Sequence, residues 1–145
     1  MLLRRLCMLA ASALLSMMTH ASLKNNDVTD QLADRYQTSC QIRDHFDLYQ
    51  FGRVLPELAE FTQKIKTTSD DFRTNSIHFN KVYFYHIPVS KIEYVILPNA
   101  KRQQSVYLDL TSMTARQQFS QIKFHHEQGL SMVKEGRFVV LTCTW

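Results

Sequence analysis

The stretch that most limits the fold of this chain is VYFYHIPVSKIEYVILP, at residues 82–98. Its β-branched and aromatic residues predict two β-strands joined by a short turn. Large apolar side chains alternate onto both faces of each strand, whereas a half-exposed hairpin is apolar on one face only. We therefore expect the second face to meet a curved-over part of the same sheet, a ligand cavity or another protein.

The first 21 residues have the pattern of a secretory leader. Arg4 and Arg5 precede an apolar run at 6–18, and Thr-His-Ala follows at 19–21. This order is typical of a signal peptide cleaved after Ala21. The alternative is a membrane anchor, but a run of 13 apolar residues is shorter than the ~20 that cross a bilayer. We predict a signal peptide at 1–21, a single domain at 22–145, no membrane span after cleavage, and a periplasmic or secreted location.

Two cysteines remain after the leader, Cys40 and Cys143. In an oxidising compartment such a pair is most simply explained by one disulfide, which ties the start of the domain to its end. Two distant thiols are too few for a zinc site, and the neighbouring His125 and His126 point in different directions on a strand or a helix. We predict a Cys40–Cys143 disulfide and no metal site.

The first half of the mature chain has helical periodicity. Asp27 is placed to cap a helix, and an apolar stripe with a spacing of three to four residues follows it and continues loosely toward Gly52. A second helix is predicted after Val54, with Pro56 in its first turn and one stripe that reaches Ile65.

The second half changes to strand periodicity. Strands are predicted at 78–87, 90–97, 104–111 and 137–144, with a weaker one near 130–134 and a short helix at 113–124. Pro88 and Pro98 are expected to end the first two strands. The predicted fold class is α+β, with two N-terminal helices packed on a four- to five-stranded curved antiparallel sheet.

Charge and motifs exclude several classes of function. Loss of Arg4 and Arg5 leaves 15 basic and 13 acidic residues, and this excess of basic residues is too small for a nucleic-acid interface. No glycine-rich phosphate loop, nucleophile elbow or HExxH motif is present. We predict no catalytic residues and no cofactor. The sequence leaves open whether the chain is an enzyme, although the missing motifs argue against it.

The remaining prediction is a small, exported, disulfide-stabilised binding protein: an envelope accessory protein, assembly factor or inhibitor. Its partner is expected to be a protein of the envelope or the extracellular space, bound through the second face of the sheet. The alternative is a small-molecule carrier or hydrolase with a cavity in the concave face. Tyrosines combine apolar area with a polar tip and suit such a surface. The candidate binding residues are Tyr83, Tyr85, Tyr94, Tyr107, Lys81, Lys101 and Arg102.

Overall fold

The computed structural model describes residues 26–42, 62–68 and 73–145, with the backbone alone at 62–68 and 73. Its elements, in chain order, are helix α1 (Thr29–Gln37), strands β1 (Thr62–Thr68), β2 (Arg73–Phe84), β3 (Ile87–Ile96) and β4 (Arg102–Asp109), helix α2 (Met113–Gln121), and strands β5 (Leu130–Glu135) and β6 (Phe138–Thr144). The predicted leader lies outside the described residues. Neither described helix is long and apolar enough to cross a membrane.

The strands form one antiparallel sheet of six, in the order β1-β2-β3-β4-β6-β5. The α+β class is confirmed, but the prediction of two N-terminal helices on four to five strands is wrong. Residues 62–68, which include part of the second predicted helical stripe, form strand β1. Thr62 and Ile65 belong to that strand because pairing with β2 supplies hydrogen bonds that outweigh a short helical pattern. The rest of that predicted helix, before residue 62, lies outside the described residues.

Helix α1 packs on one face of the sheet through its predicted stripe. Val28, Leu32, Tyr36 and Cys40 are all buried there. The opposing core row crosses four strands from Ile77 through Ile92 and Val106 to Leu141. Ala115 of α2 joins the same core, and the side chain of Ser112 caps that helix by accepting a hydrogen bond from its main chain. We call this side of the sheet the core face.

Irregular pairing explains why residues 82–98 look apolar on both faces. The register shifts between His78 and Val82 in β2, where Lys81 has a φ of 62°, and again between Val89 and Lys91 in β3. Each shift moves the following side chains to the opposite face, so that residues of both parities reach one core. Phe79, Val82, Phe84, Ile87 and Val89 are all buried in that core.

The other face of the sheet is polar across its middle. A cross-strand row of paired residues runs from Ser76 through Glu93 and Ser105 to Thr142. The hydroxyls of Ser105 and Thr142 are hydrogen-bonded at 2.8 Å. The expectation of two apolar faces is therefore not met, and the second face needs no apolar cover in this region.

The hairpin between β2 and β3 turns through Tyr85 and His86, so Pro88 lies inside β3 instead of ending the previous strand. Both turn residues have positive φ, 49° and 62°, a conformation that costs free energy for residues other than glycine. Contacts with α1 hold the turn. The Tyr85 amide donates to Thr29 Oγ1 at 2.6 Å, and its hydroxyl donates to Gln37 Oε1 at 2.7 Å.

Candidate functional site

Strand β5 is one edge of the sheet, paired on one side with β6. Five of its six residues are exposed, and Leu130 is half-buried. Free main-chain donors and acceptors on a sheet edge form a template for another strand. The other edge, β1, is described by its backbone alone. β5 is therefore the sheet edge that is described with its side chains.

The turn after β5 fixes which of its main-chain groups point outward. Glu135 pairs with Phe138 across a two-residue loop, and Gly136 supplies the positive φ that such turns require. At the other end of the hairpin, the Thr144 amide donates to the Gly129 carbonyl at 2.9 Å. Because hydrogen-bonded and non-hydrogen-bonded pairs alternate, residues 131, 133 and 135 bond to β6. The main-chain groups of residues 132 and 134 point to the open edge, whereas the Leu130 amide donates to the Glu127 carbonyl at 3.5 Å.

Two apolar side chains flank these outward groups. Met132 is 46% exposed and pairs with Leu141, so it extends the buried core row to the edge of the sheet. Val133 is 51% exposed and lies on the opposite face. Ser131, Met132 and Val133 together form a stretch without charge, and edge strands normally carry charges or proline that block pairing. This stretch combines apolar area with free hydrogen-bonding groups.

A groove of about 590 Å³ runs beside this edge on the core side. One wall is the segment between α2 and β5, and the floor is formed by Leu130 and Met132. We call residues 122–129 the groove wall. Its residues that line the groove are Ile122, Lys123, Phe124, His125, His126 and Glu127. Four apolar side chains and four polar or charged ones line the groove, so that it offers both kinds of contact to a ligand.

The predicted disulfide is confirmed between Cys40 and Cys143, and it lies against the groove wall. His125 is buried with its Nε2 3.5 Å from Cys40 Sγ and 4.0 Å from Cys143 Sγ. Its Nδ1 accepts a hydrogen bond from the Glu127 amide at 3.1 Å. A neutral ring with Nδ1 as acceptor carries its proton on Nε2, which therefore faces the sulfurs.

This trio is also a group of possible metal ligands among the described residues, with ligand atoms within 4.8 Å of one another. Metal binding requires thiolates and a histidine nitrogen with a free lone pair. Here both sulfurs are bonded to each other, and the lone pair of Nδ1 already accepts a main-chain hydrogen bond. The three residues therefore form a disulfide packed against a histidine ring, and their ligand atoms are not free to bind a metal ion.

The residues predicted to bind a partner lie in different parts of the fold. Tyr94 is buried on the core face, with its ring edge-to-face against Trp145, whereas Tyr107 lies on the opposite face. Tyr83 pairs with residues 26–28, and Tyr85 forms the hairpin turn. Of the basic candidates, Lys81 lies at the register shift of β2 and Lys101 is exposed in the loop before β4. Arg102 is the first residue of β4. The seven residues do not form one surface, and their roles stay predictions.

Tyr107 belongs to a small polar cluster. Its hydroxyl donates to Glu93 Oε2 at 2.8 Å, while Lys91 Nζ lies 2.7 Å from Glu93 Oε1 and 3.9 Å from the centre of the tyrosine ring. Burial raises the pKa of the Tyr107 hydroxyl well above its ordinary value. The hydrogen bond to Glu93 and the charges of Glu93 and Glu135 raise it further. The hydroxyl is a fixed donor at neutral pH.

We expect Glu93→Gln to lower the pKa of Tyr107 toward its ordinary value, because it removes the nearest negative charge. Tyrosinate absorbance during an alkaline titration measures this change. In the wild type the raised pKa favours folding below the unfolded-state value of 10.0, and that contribution is lost as the pH rises through the folded-state value. Glu135→Gln is the matched control and should act more weakly. Equal effects of the two variants would contradict this assignment.

Comparison of the chain with protein-family models, curated proteins and solved structures found no match. The candidate site at β5 therefore rests on the geometry of this structure alone. Sequence reasoning predicted a weak strand near 130–134 but did not identify Met132 or Val133 as binding residues. The charge-free SMV stretch was the available signal, and its meaning depends on β5 being an edge strand.

Proposed function

We propose that this chain is a small, exported, disulfide-stabilised binding protein that captures an extended segment of a partner protein by adding it as a further strand beside β5. One observation carries this proposal. The outward main-chain groups of residues 132 and 134 are flanked by the exposed side chains of Met132 and Val133 and lie beside a groove lined by both apolar and polar residues. Strand addition uses such an edge for affinity and adjacent pockets for specificity.

The chemistry of the edge defines the captured segment. Side chains alternate along an added strand, so every second residue of the partner contacts Met132 and the groove, and the others lie beside Val133. Apolar residues at alternate positions fit both sides. Lys123 and Lys134 border this region, and so do Glu127 and Glu135, so its formal charge is balanced. The edge therefore selects for apolar residues at alternate positions and not for a net charge.

The proposal includes export of the chain to the periplasm or the extracellular space. The predicted leader at 1–21 and the Cys40–Cys143 disulfide support it, since disulfides persist in oxidising compartments. The proposed partner belongs to the same compartment. Of the candidate tyrosines, Tyr83 and Tyr107 lie on the second face, which is the proposed second contact surface.

A small-molecule carrier or hydrolase is the second candidate, favoured by the groove itself. Its volume of about 590 Å³ lies within the ~300–1,000 Å³ range of ligand pockets. Hydrolysis would need a free general base, and both ring nitrogens of His125 face other groups. The exposed His126 and Glu127 of the groove lining are the remaining candidates for that base.

Selection of random 12-residue peptides against the mature protein tests strand capture. We expect the selected peptides to carry apolar residues at alternate positions, and Met132→Pro to weaken their binding about tenfold or more. This variant removes an outward amide and an apolar side chain, which together are worth roughly 1.5 kcal/mol or more. No hydrogen bond to β6 is lost, so the fold is retained. Titration calorimetry measures the affinity.

Met113→Pro is the matched control. Met113 is also an exposed methionine, 69% accessible, and it is the first residue of α2, where proline is tolerated. This variant should bind the peptides like the wild type. If no peptide is selected, or if both variants bind equally well, strand capture is wrong. A small apolar ligand that binds wild type and Met132→Pro alike would instead favour the carrier.

A further inference from the structure

The disulfide is in direct contact with the groove wall at two places. His125 Nε2 lies 3.5 Å from Cys40 Sγ. Gly129, at the C-terminal end of the wall, is so close that a Cβ placed on it would lie 3.6 Å from Cys40 Cβ and 2.5 Å from the Thr144 carbonyl oxygen. Cys40 thus lies against the middle and the C-terminal end of the groove wall.

Main-chain bonds join the same wall to the two elements that the disulfide connects. The His125 amide donates to the carbonyl of Tyr36 in α1 at 3.2 Å, and the Gly129 carbonyl accepts from the amide of Thr144 at the end of β6 at 2.9 Å. Cys40 follows α1, and Cys143 lies in β6. The position of the wall therefore depends on how firmly α1 is held to β6.

We propose that the Cys40–Cys143 disulfide is a redox gate for the groove. This inference rests on the proposed strand capture. A dithiol reductant supplies two electrons and two protons, the S–S bond breaks, Cys40 and Cys143 become thiols, and the reductant becomes a disulfide. The two sulfurs then separate to non-bonded contact. In a packed site this separation displaces His125 and loosens the groove wall.

Reduction of the disulfide and binding in the groove should influence each other. Cys40 is 1% exposed and Cys143 is fully buried, and the groove wall is one of the segments that cover them. A strand bound in the groove holds the wall in place. Binding should therefore protect the disulfide from reduction, and reduction should weaken binding, as linkage between two sites requires.

Amide hydrogen exchange of the mature protein, oxidised and then reduced with a phosphine at low temperature, tests the gate without any ligand. We expect the amides of residues 122–130 to lose most of their protection, whereas β2 and β3 exchange faster only through the global loss of stability and remain protected. Unchanged exchange in the wall would overturn the gate. A wall that stays as protected as β2 and β3 would also overturn it, since the disulfide would then act on the fold as a whole and not on the wall in particular.

The Cys40→Ala/Cys143→Ala variant controls for the reductant and should exchange like the reduced wild type. A selected 12-residue peptide then separates the two proposals. If it binds oxidised and reduced protein equally, the gate is wrong and strand capture stands. If the wall loosens as expected but no peptide binds the oxidised protein, strand capture is wrong and the coupling stands.

Discussion

Replacing Cys40 and Cys143 with alanine is expected to lower the free energy of unfolding by roughly 4 kcal/mol. The disulfide closes a loop with a sequence separation of 103 residues, and chain-entropy estimates for such a loop are about 4–5 kcal/mol. Domains of this size are stable by only about 5–15 kcal/mol. This loss is therefore a large fraction of the stability of the domain. Chemical denaturation of the mature protein measures it.

The reductant provides the control for this prediction. Reduction should destabilise the wild type by a similar amount and leave the alanine variant unchanged, because that variant has no disulfide to break. A loss below about 1 kcal/mol in the double variant would contradict the loop-closure account. The disulfide would then lock the groove wall without stabilising the domain.

Phe84→Ala is expected to cost about 3–5 kcal/mol of unfolding free energy, the usual range for removing a buried phenylalanine. Phe84 is fully buried, and its ring packs edge-to-face against Tyr36 of α1 and against Tyr85. It reaches the core because the register of β2 shifts before Val82. The measurement therefore tests the irregular pairing as well as the packing. Thermal and denaturant unfolding both report the loss.

Tyr83→Ala, one residue away, is the matched control. Tyr83 is half-buried on the other face of the hairpin, where it pairs with Pro88. We expect a loss of about 1 kcal/mol, the typical value for a substitution outside the core. Equal losses at Phe84 and Tyr83 would mean that both faces of the hairpin are core, as the sequence pattern alone indicates.

Much of the fold was predictable because local patterns and tertiary packing agree. The stripe from Val28 to Cys40 does face the core, and the strands of the second half lie close to their predicted positions. The disulfide was predictable from the count of cysteines that follow the predicted leader. Burial of the apolar residues determined the position of the helix and the strands, and the only two cysteines in that part of the sequence determined the disulfide.

The wrong predictions concern residues at which the local sequence pattern and the tertiary packing favour different structures. A stripe with helical spacing that reaches Ile65 is short enough to fit a strand as well, and pairing with β2 decides in favour of the strand. The register shift near Lys81 has no glycine to mark it, so strict alternation placed apolar residues on two faces. A positive φ at lysine depends on neighbours distant in sequence, such as Asn26, whose side-chain amide donates to the Lys81 carbonyl.

The candidate site was the least predictable part. Its key property is that β5 lies at an edge, which follows from the order β4-β6-β5. Nothing local to Ser131, Met132 or Val133 encodes that order. The contact between His125 and the disulfide likewise joins parts of the chain that are far apart in sequence.

Residue-resolved amide exchange with a selected 12-residue peptide bound shows whether β5 accepts a further strand. We expect new protection at the amides of Met132 and Lys134, which point to the open edge. The amides of Ser131 and Val133, already bonded to β6, should change little. Protection confined to the second face, around Tyr83 and Tyr107, or no change along β5, would contradict strand capture.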